Sequence, residues 1–184
     1  SMPRVLVPLA DGFEEMEGII IIDVLRRAGI EVVSASLKDG PITAARGTKH
    51  LADTTLDQAL SQEFDMLVLP GGGPGAKALE ADERVAQLLK EFHEKKKRIG
   101  AICAAPNALR RHNVIQGQDR FTMYPDSVQG GNGGLYTKER VVRNAHVTTS
   151  LAAGSAFEFA LDIVEQLLGP EKKAAVAGPM YLPQ

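Results

Sequence analysis

The 184 residues are 44% hydrophobic and 24% charged, with 21 Lys and Arg against 23 Asp and Glu and a formal net charge of −2. That is enough chain for one domain with a substantial core, in a composition ordinary for a globular protein. It has no basic excess to attract nucleic acid or an anionic membrane, and its longest aliphatic run, residues 19–22, is far too short to span a bilayer. The one cysteine cannot form an internal disulfide and no basic-then-apolar segment opens the chain, so a reducing, cytoplasmic setting is expected. Ser1 before Met2 reads as an expression scar, and residues 3–184 as a single domain.

Residues 4–9 (RVLVPL) read as a short, almost wholly apolar strand of the buried parallel type. A loop over 10–14 leads into a helix over 15–28. Glu14, Glu15 and Glu17 sit near its positive end, Arg26 and Arg27 in its last turn, and Gly29 is its stop. Met16, Ile19, Ile20, Val24 and Leu25 are expected to face the sheet, while Ile21 and Ile22 widen the stripe towards a second subunit. Residues 30–37 form a second strand. Between 38 and 56, Gly-Pro and Arg-Gly turn signals separate β-like pieces and predict a small β-hairpin off the main sheet.

Residues 64–69 are another buried strand and end in PGGGPG at 70–75. Helices fit 75–80 and 83–96, the second with apolar Val85, Leu88, Leu89 and Phe92 and a basic end at 95–97. Residues 114–145 are the least regular, with QGGNGG at 129–134 as a loop or wide hairpin turn. One or two strands follow in 141–150. A last helix over 154–168 is stopped by Gly169-Pro170, with a short tail beyond it. Strands alternating with helices predict an α/β fold, a largely parallel sheet with helices on both faces.

The stretch at 98–109, RIGAICAAPNAL, organises the rest. An apolar strand runs into Cys103, then small residues, then a helix that accepts Pro106 in its first turn because the missing N–H has no partner there anyway. This is the form of a nucleophile elbow, without the G-x-S-x-G signature. A thiol just before a helix N-terminus is expected to have a lowered pKa. The competing reading is an inert core cysteine.

In such a fold ligands sit at the carboxyl ends of the strands, where the Glu14–Glu17 loop, the glycine run and Cys103 all fall. Gly71 and Gly72 have no nucleotide-binding signature around them. They can instead supply bare backbone N–H groups, an oxyanion hole shared with the amide of Ala104, or simply make a tight turn. Glu17, if it starts its helix beside the elbow, would be held protonated by burial and by the thiolate and could act as general acid or base; otherwise it only compensates the helix dipole. His50, His93, His112 and His146 lack metal-ligand spacing, and no base for a Cys-His dyad is evident.

These residues resemble the DJ-1/ThiJ/PfpI superfamily, most closely its DJ-1-like branch. The matching pieces are GFEEMEGIIIIDVLRRAGI at 12–30, ARG at 45–47, DMLVLPGGGPGAKAL at 65–79, AICAAPNAL at 101–109, NGGLYTKERVV at 132–142 and AFEFALDIVEQL at 156–167. The resemblance implies a flavodoxin-like (Rossmann-like) sandwich, usually a homodimer, with no metal or organic cofactor. It implies Cys103 as nucleophile and oxidation-sensitive thiol, Glu17 as its protonated partner, Gly71, Gly72 and Ala104 as backbone donors, and Arg46 reaching the site from a partner subunit. Relatives are described as glutathione-independent glyoxalases converting methylglyoxal to lactate, as deglycases of glycated protein or nucleotide, and as redox-responsive chaperones. The expected partners are therefore small reactive carbonyls or glycated adducts. Two departures stand out. Tyr124 occupies the place where many relatives carry a histidine before a proline, and Ala152 and Ala153 lie where relatives usually have Arg-Gly-Pro-Gly. Tyrosine is a poor base near neutral pH, its unperturbed pKa being about 10, so Glu17 is left to move protons.

Overall fold

The computed structural model describes residues 1–130 and 133–183. In chain order the first half contains β1 (Arg4–Leu9), α1 (Glu15–Arg27), β2 (Glu31–Ser36), β3 (Ile42–Thr43), β4 (Lys49–His50), β5 (Thr54–Thr55) and α2 (Leu56–Ala59). Next come β6 (Met66–Leu69), α3 (Gly73–Ala81), α4 (Glu83–Glu94), β7 (Arg98–Ile102) and α5 (Pro106–Arg111). The last third holds β8 (Arg120–Phe121), β9 (Leu135–Tyr136), β10 (Val141–Asn144), β11 (Val147–Ser150), α6 (Ala156–Leu168) and α7 (Pro170–Ala177).

Seven strands form one sheet in the order β10-β11-β7-β6-β1-β2-β5, parallel except where β10 meets β11. The period-two alternation of side chains sends Leu6 to one face of the sheet and Val5 and Val7 to the other. On the first face Leu6, Leu67, Leu69 and Ile99 pack with Leu79, Leu89, Phe92 and Leu109 of α3, α4 and α5. On the second, Val5, Val7, Val68 and Ile102 pack with Ile21, Val24 and Leu25 of α1 and Phe159, Ile163 and Val164 of α6. This is the α/β architecture that the strand-helix alternation predicts, in the flavodoxin-like form that the family resemblance implies. The hairpin off the main sheet is the antiparallel pair β3-β4. Among the described residues no helix is long and apolar enough to cross a membrane.

Four details differ from the sequence reading. In α1 the buried residues are Glu17, Gly18, Ile21, Val24 and Leu25, whereas Met16 and Ile19 are exposed. The buried face is turned by about one residue because Glu17 points inward to the elbow, which carries Ile21 into the core. Residues 54–59 add a two-residue edge strand on β2 and a one-turn helix capped by Thr55 Oγ1. β8 and β9 pair in parallel, so these two strands do not form a hairpin; of the loop or wide turn expected at 129–134, Gly131 and Asn132 lie outside the described residues. Finally, Pro170 starts a further helix, α7. Gly169, at φ 95°, redirects the chain, and proline fits a first helical turn.

Helix α4 begins where Asp82 accepts hydrogen bonds from the N–H groups of Arg84 (2.8 Å) and Val85 (3.2 Å) while pairing with the Arg84 guanidinium. Loss of such a cap costs about 1 kcal/mol. Asp82→Ala is therefore expected to lower the unfolding free energy by that amount, read as a lower urea midpoint with an unchanged slope, and a slope change would mean that more than the cap was lost.

Candidate active site

Strand β7 delivers Cys103 into the left-handed region, at φ 63°. A non-glycine residue there is strained and persists only where its surroundings hold it. Both of its peptide groups are pinned: Cys103 N–H donates to Ser150 O at the end of β11 (2.9 Å), and Cys103 O accepts from Tyr124 N–H (2.9 Å). Small Ala104 and Ala105 follow, and Pro106 opens α5. The elbow predicted from 98–109 is present in the backbone.

The glycine turn after β6 lies against this elbow. A β-carbon on Gly71 would fall 2.5 Å from Glu17 Oε1, 2.6 Å from Cys103 Cβ and 2.8 Å from Ile102 O, so three parts of the site converge on a position only glycine can fill. Gly71 N–H donates to Glu17 Oε1 at 2.9 Å. Its donor capacity thus serves the carboxyl rather than an oxyanion, which reassigns one of the three expected backbone donors. The N–H groups of Gly72 and Ala104 both bear on the Cys103 sulfur and favour its thiolate.

Glu17 rises from α1 into this corner and is fully buried. Its Oε2 has no hydrogen-bond partner, the only such buried side-chain atom among the described residues. Burial pushes its pKa from the ordinary 4.5 up to about 7; the Cys103 thiol and the Gly71 N–H act in the opposite direction, and the charge of Glu14 adds to the rise. The thiol departs from expectation. Burial first, then the neighbouring Glu17, push Cys103 up to about 12 against the pull of the two N–H groups. A six-residue helix gives too little dipole to outweigh that desolvation. Cys103 and Glu17 therefore titrate as one pair that holds its first proton to near neutrality and its second far beyond.

The pair opens into a cavity of about 650 Å³. Its wall includes Ala44, Ala45 and Arg46 from the β3-β4 turn, Tyr124, Ser127, and Ala152, Ala153 and Gly154 from the segment before α6. Arg46 lines the rim of its own chain's cavity, where its Nε lies 3.6 Å from Glu14 Oε1. The turn that carries it is tied down by Glu15, whose carboxylate accepts from the N–H groups of Arg46 and Thr48 and from the Thr48 hydroxyl.

A match to the DJ-1/PfpI family covers residues 3–166. The chain belongs to the DJ-1/PfpI family. The chain is 44% identical to protein dj-1beta of Drosophila melanogaster, over 94% of this chain and 93% of that one. The crystal structure of Drosophila melanogaster DJ-1beta superposes with a TM-score of 0.95 at 41% identity, covering both chains completely. The Caenorhabditis elegans protein named glutathione-independent glyoxalase DJR-1.2 is 36% identical over 97% of this chain and 95% of its own. Against protein DJ-1 homolog B of Arabidopsis thaliana the identity is 40%, and there the chain spans only 39% of the relative's length.

Within this DJ-1/PfpI frame the structure brings Cys103, Glu17, Gly71, Gly72, Ala104, Tyr124 and Arg46 to one corner, and also Ala152 and Ala153. None of the four histidines lines the cavity. His93 and His146 pair with each other at 3.0 Å, and His112 Nε2 meets Glu80 O at 2.8 Å. Sequence reasoning put the Glu14 loop at the rim but gave Glu14 no role of its own; it caps the helix, accepting from Met16 N–H at 2.9 Å, and lines the cavity. Ser127 had no signal at all. It is placed by Asn107 Nδ2, which donates to its carbonyl at 2.7 Å.

Proposed function

We propose that this protein is a cofactor-independent enzyme of small reactive dicarbonyls, a glutathione-independent glyoxalase that converts methylglyoxal to lactate. The observation that carries this reading is the buried Glu17 carboxyl, with one oxygen unpartnered, beside a nucleophile on a strained elbow. In the working state the pair keeps one proton. The Cys103 sulfur attacks the aldehyde carbon as Glu17 takes the thiol proton, and the N–H groups of Gly72 and Ala104 stabilise the oxyanion. Glu17 protonates that oxygen to give a hemithioacetal. It then removes the proton on the former aldehyde carbon and returns it to the adjacent one, leaving a thioester. Water cleaves the carbon–sulfur bond, so dicarbonyl plus water becomes a 2-hydroxy acid and the thiol is regenerated. Deglycation of glycated adducts would use the same nucleophile and the same proton carrier.

Supporting this reading are the DJ-1/PfpI membership and the name of the nematode relative. The test is steady-state lactate formation from methylglyoxal without glutathione, comparing the parent with Cys103→Ala and Glu17→Gln. Loss in both variants is the expected result. No parent turnover above buffer would overturn the enzyme. A second reading, a redox-sensing chaperone that works as a cytoplasmic homodimer, is favoured by one observation: Cys103 is the chain's only cysteine, so its oxidation runs to sulfinate with no resolving thiol. It predicts peroxide-dependent sulfinate on Cys103 with no lactate at any protein concentration.

A further inference from the structure

The cavity beside Cys103 is large for a three-carbon compound. About 650 Å³ lies within the roughly 300–1,000 Å³ of pockets that enclose drug-sized ligands. Its chemistry is uneven. The polar machinery, Cys103, Glu17 and the N–H groups of Gly72 and Ala104, crowds one end. Ten of the sixteen lining residues are Gly, Ala or Pro, contributed by the loop between β1 and α1, the β3-β4 turn, the turn into α3, the elbow and the segment before α6. The two charged groups on the hairpin side, Glu14 and Arg46, are paired with each other. Tyr124, 40% exposed, is also part of the wall, on backbone held by Cys103 O. A second cavity of about 290 Å³ shares Gly73, Ala104 and Ser127 with the first, but Lys77, Glu80 and Asp126 line it, so an apolar group is better accommodated on the Ala152 side.

We propose that the Cys103 cavity takes 2-oxoaldehydes with a bulky apolar side group, aryl groups foremost, in preference to methylglyoxal. This rests on the dicarbonyl reading above and specifies its substrate class. The aldehyde end meets the thiol and the two N–H donors, while the side group lies along Ala152 and Ala153 with the Tyr124 ring against it. Aromatic faces in contact add to the burial of apolar surface. The reaction balances as before: an aryl 2-oxoaldehyde and one water give an aryl 2-hydroxy acid. The terminal carbon is oxidised and its neighbour reduced, with the proton passing through Glu17 and no external oxidant or reductant.

The test compares kcat/KM for phenylglyoxal, read as mandelate, with kcat/KM for methylglyoxal, read as lactate, without glutathione and with Cys103→Ala as the blank. A filled pocket of this kind discriminates by about 10- to 200-fold, so the expected ratio is at least tenfold in favour of phenylglyoxal. Ala153→Leu, which fills the wall, is expected to cut that ratio at least tenfold. Independently of any variant, mandelate should protect Cys103 from alkylation at a concentration at least tenfold lower than lactate does. A ratio at or below one, or mandelate protecting no better than lactate, overturns the proposal. Methylglyoxal turnover without the preference defeats this inference alone, whereas absence of turnover on both substrates defeats the dicarbonyl reading with it.

Discussion

Glu17→Gln is expected to move activity and stability in opposite directions: lactate formation falls by about 10²- to 10⁴-fold, the usual contribution of a positioned acid-base group, while the folded protein becomes more stable than the parent at pH 8. The sign follows from proton counting. Glu17 has an ordinary pKa of 4.5 and is raised to about 7 in the fold, so between these values the native state binds more protons than the unfolded chain. Stability then falls as pH rises, by up to about 3 kcal/mol across that window at 1.4 kcal/mol per unit. Glutamine keeps the acceptor for Gly71 N–H and has nothing to ionise, so its advantage should grow from pH 4.5 to 7 and then level off. Thermal unfolding of both proteins over pH 4 to 8 reads this directly. A constant offset between the curves would mean that folding leaves the pKa of this carboxyl unshifted. The same variant should also lower the thiol's pKa, since Glu17 is the second cause of its rise after burial. Absorbance of the thiolate against pH reads that shift.

These opposed signs express what the site requires. On the proposed mechanism the singly deprotonated pair attacks the carbonyl, and it is populated only as pH passes about 7, where burial of that charge is most costly to the fold. Activity is therefore expected to rise over the range in which stability declines. A structural glutamate at the start of an exposed helix would show neither trend.

The parts of this site that are short-range in the chain were legible in the sequence. An apolar run, a lone cysteine, two alanines and a proline specify strand, elbow and helix locally, and the structure puts Cys103 at φ 63° as that pattern demands. Glycine and proline signals likewise located the β3-β4 hairpin and the turn after β6. What was not legible depends on packing across the sheet. The inward face of α1 is displaced by a residue because Glu17 reaches Gly71, 54 residues away. Gly71 N–H looked like a spare donor until its partner was in view. The thiol's pKa was read from the helix that follows it, yet burial under α1 and the glycine turn governs it. At Gly169-Pro170 the same dipeptide both ends α6 and starts α7, and local signals do not say which use prevails.

Gly72→Ala is expected to destabilise the protein by about 3 kcal/mol or more, adding the cost of a disallowed backbone to that of an overfilled site, about 1–3 kcal/mol each. Gly72 sits at φ 92° and ψ 119°, a conformation that side chains rarely adopt. Its β-carbon would collide with Glu14 N, with Gly12 O at 2.5 Å and with Phe13 C at 2.8 Å. All three are backbone atoms of the loop between β1 and α1, so no rotamer change can make room. The loop would have to withdraw, and with it the hydrogen bond from Glu14 N–H to Gly71 O (2.9 Å) and the entry of α1 that aims Glu17. Gly73, the next residue, is the internal control: nothing lies within 4 Å of its β-carbon and its φ is not positive. Alanine at 73 should change stability by less than about 0.5 kcal/mol, the range of a surface substitution. Urea denaturation of the two variants side by side separates a glycine needed for its shape from one that is merely present. If both behaved alike, the contact between the β6 turn and the α1 loop would not be what brings Glu17 to Cys103.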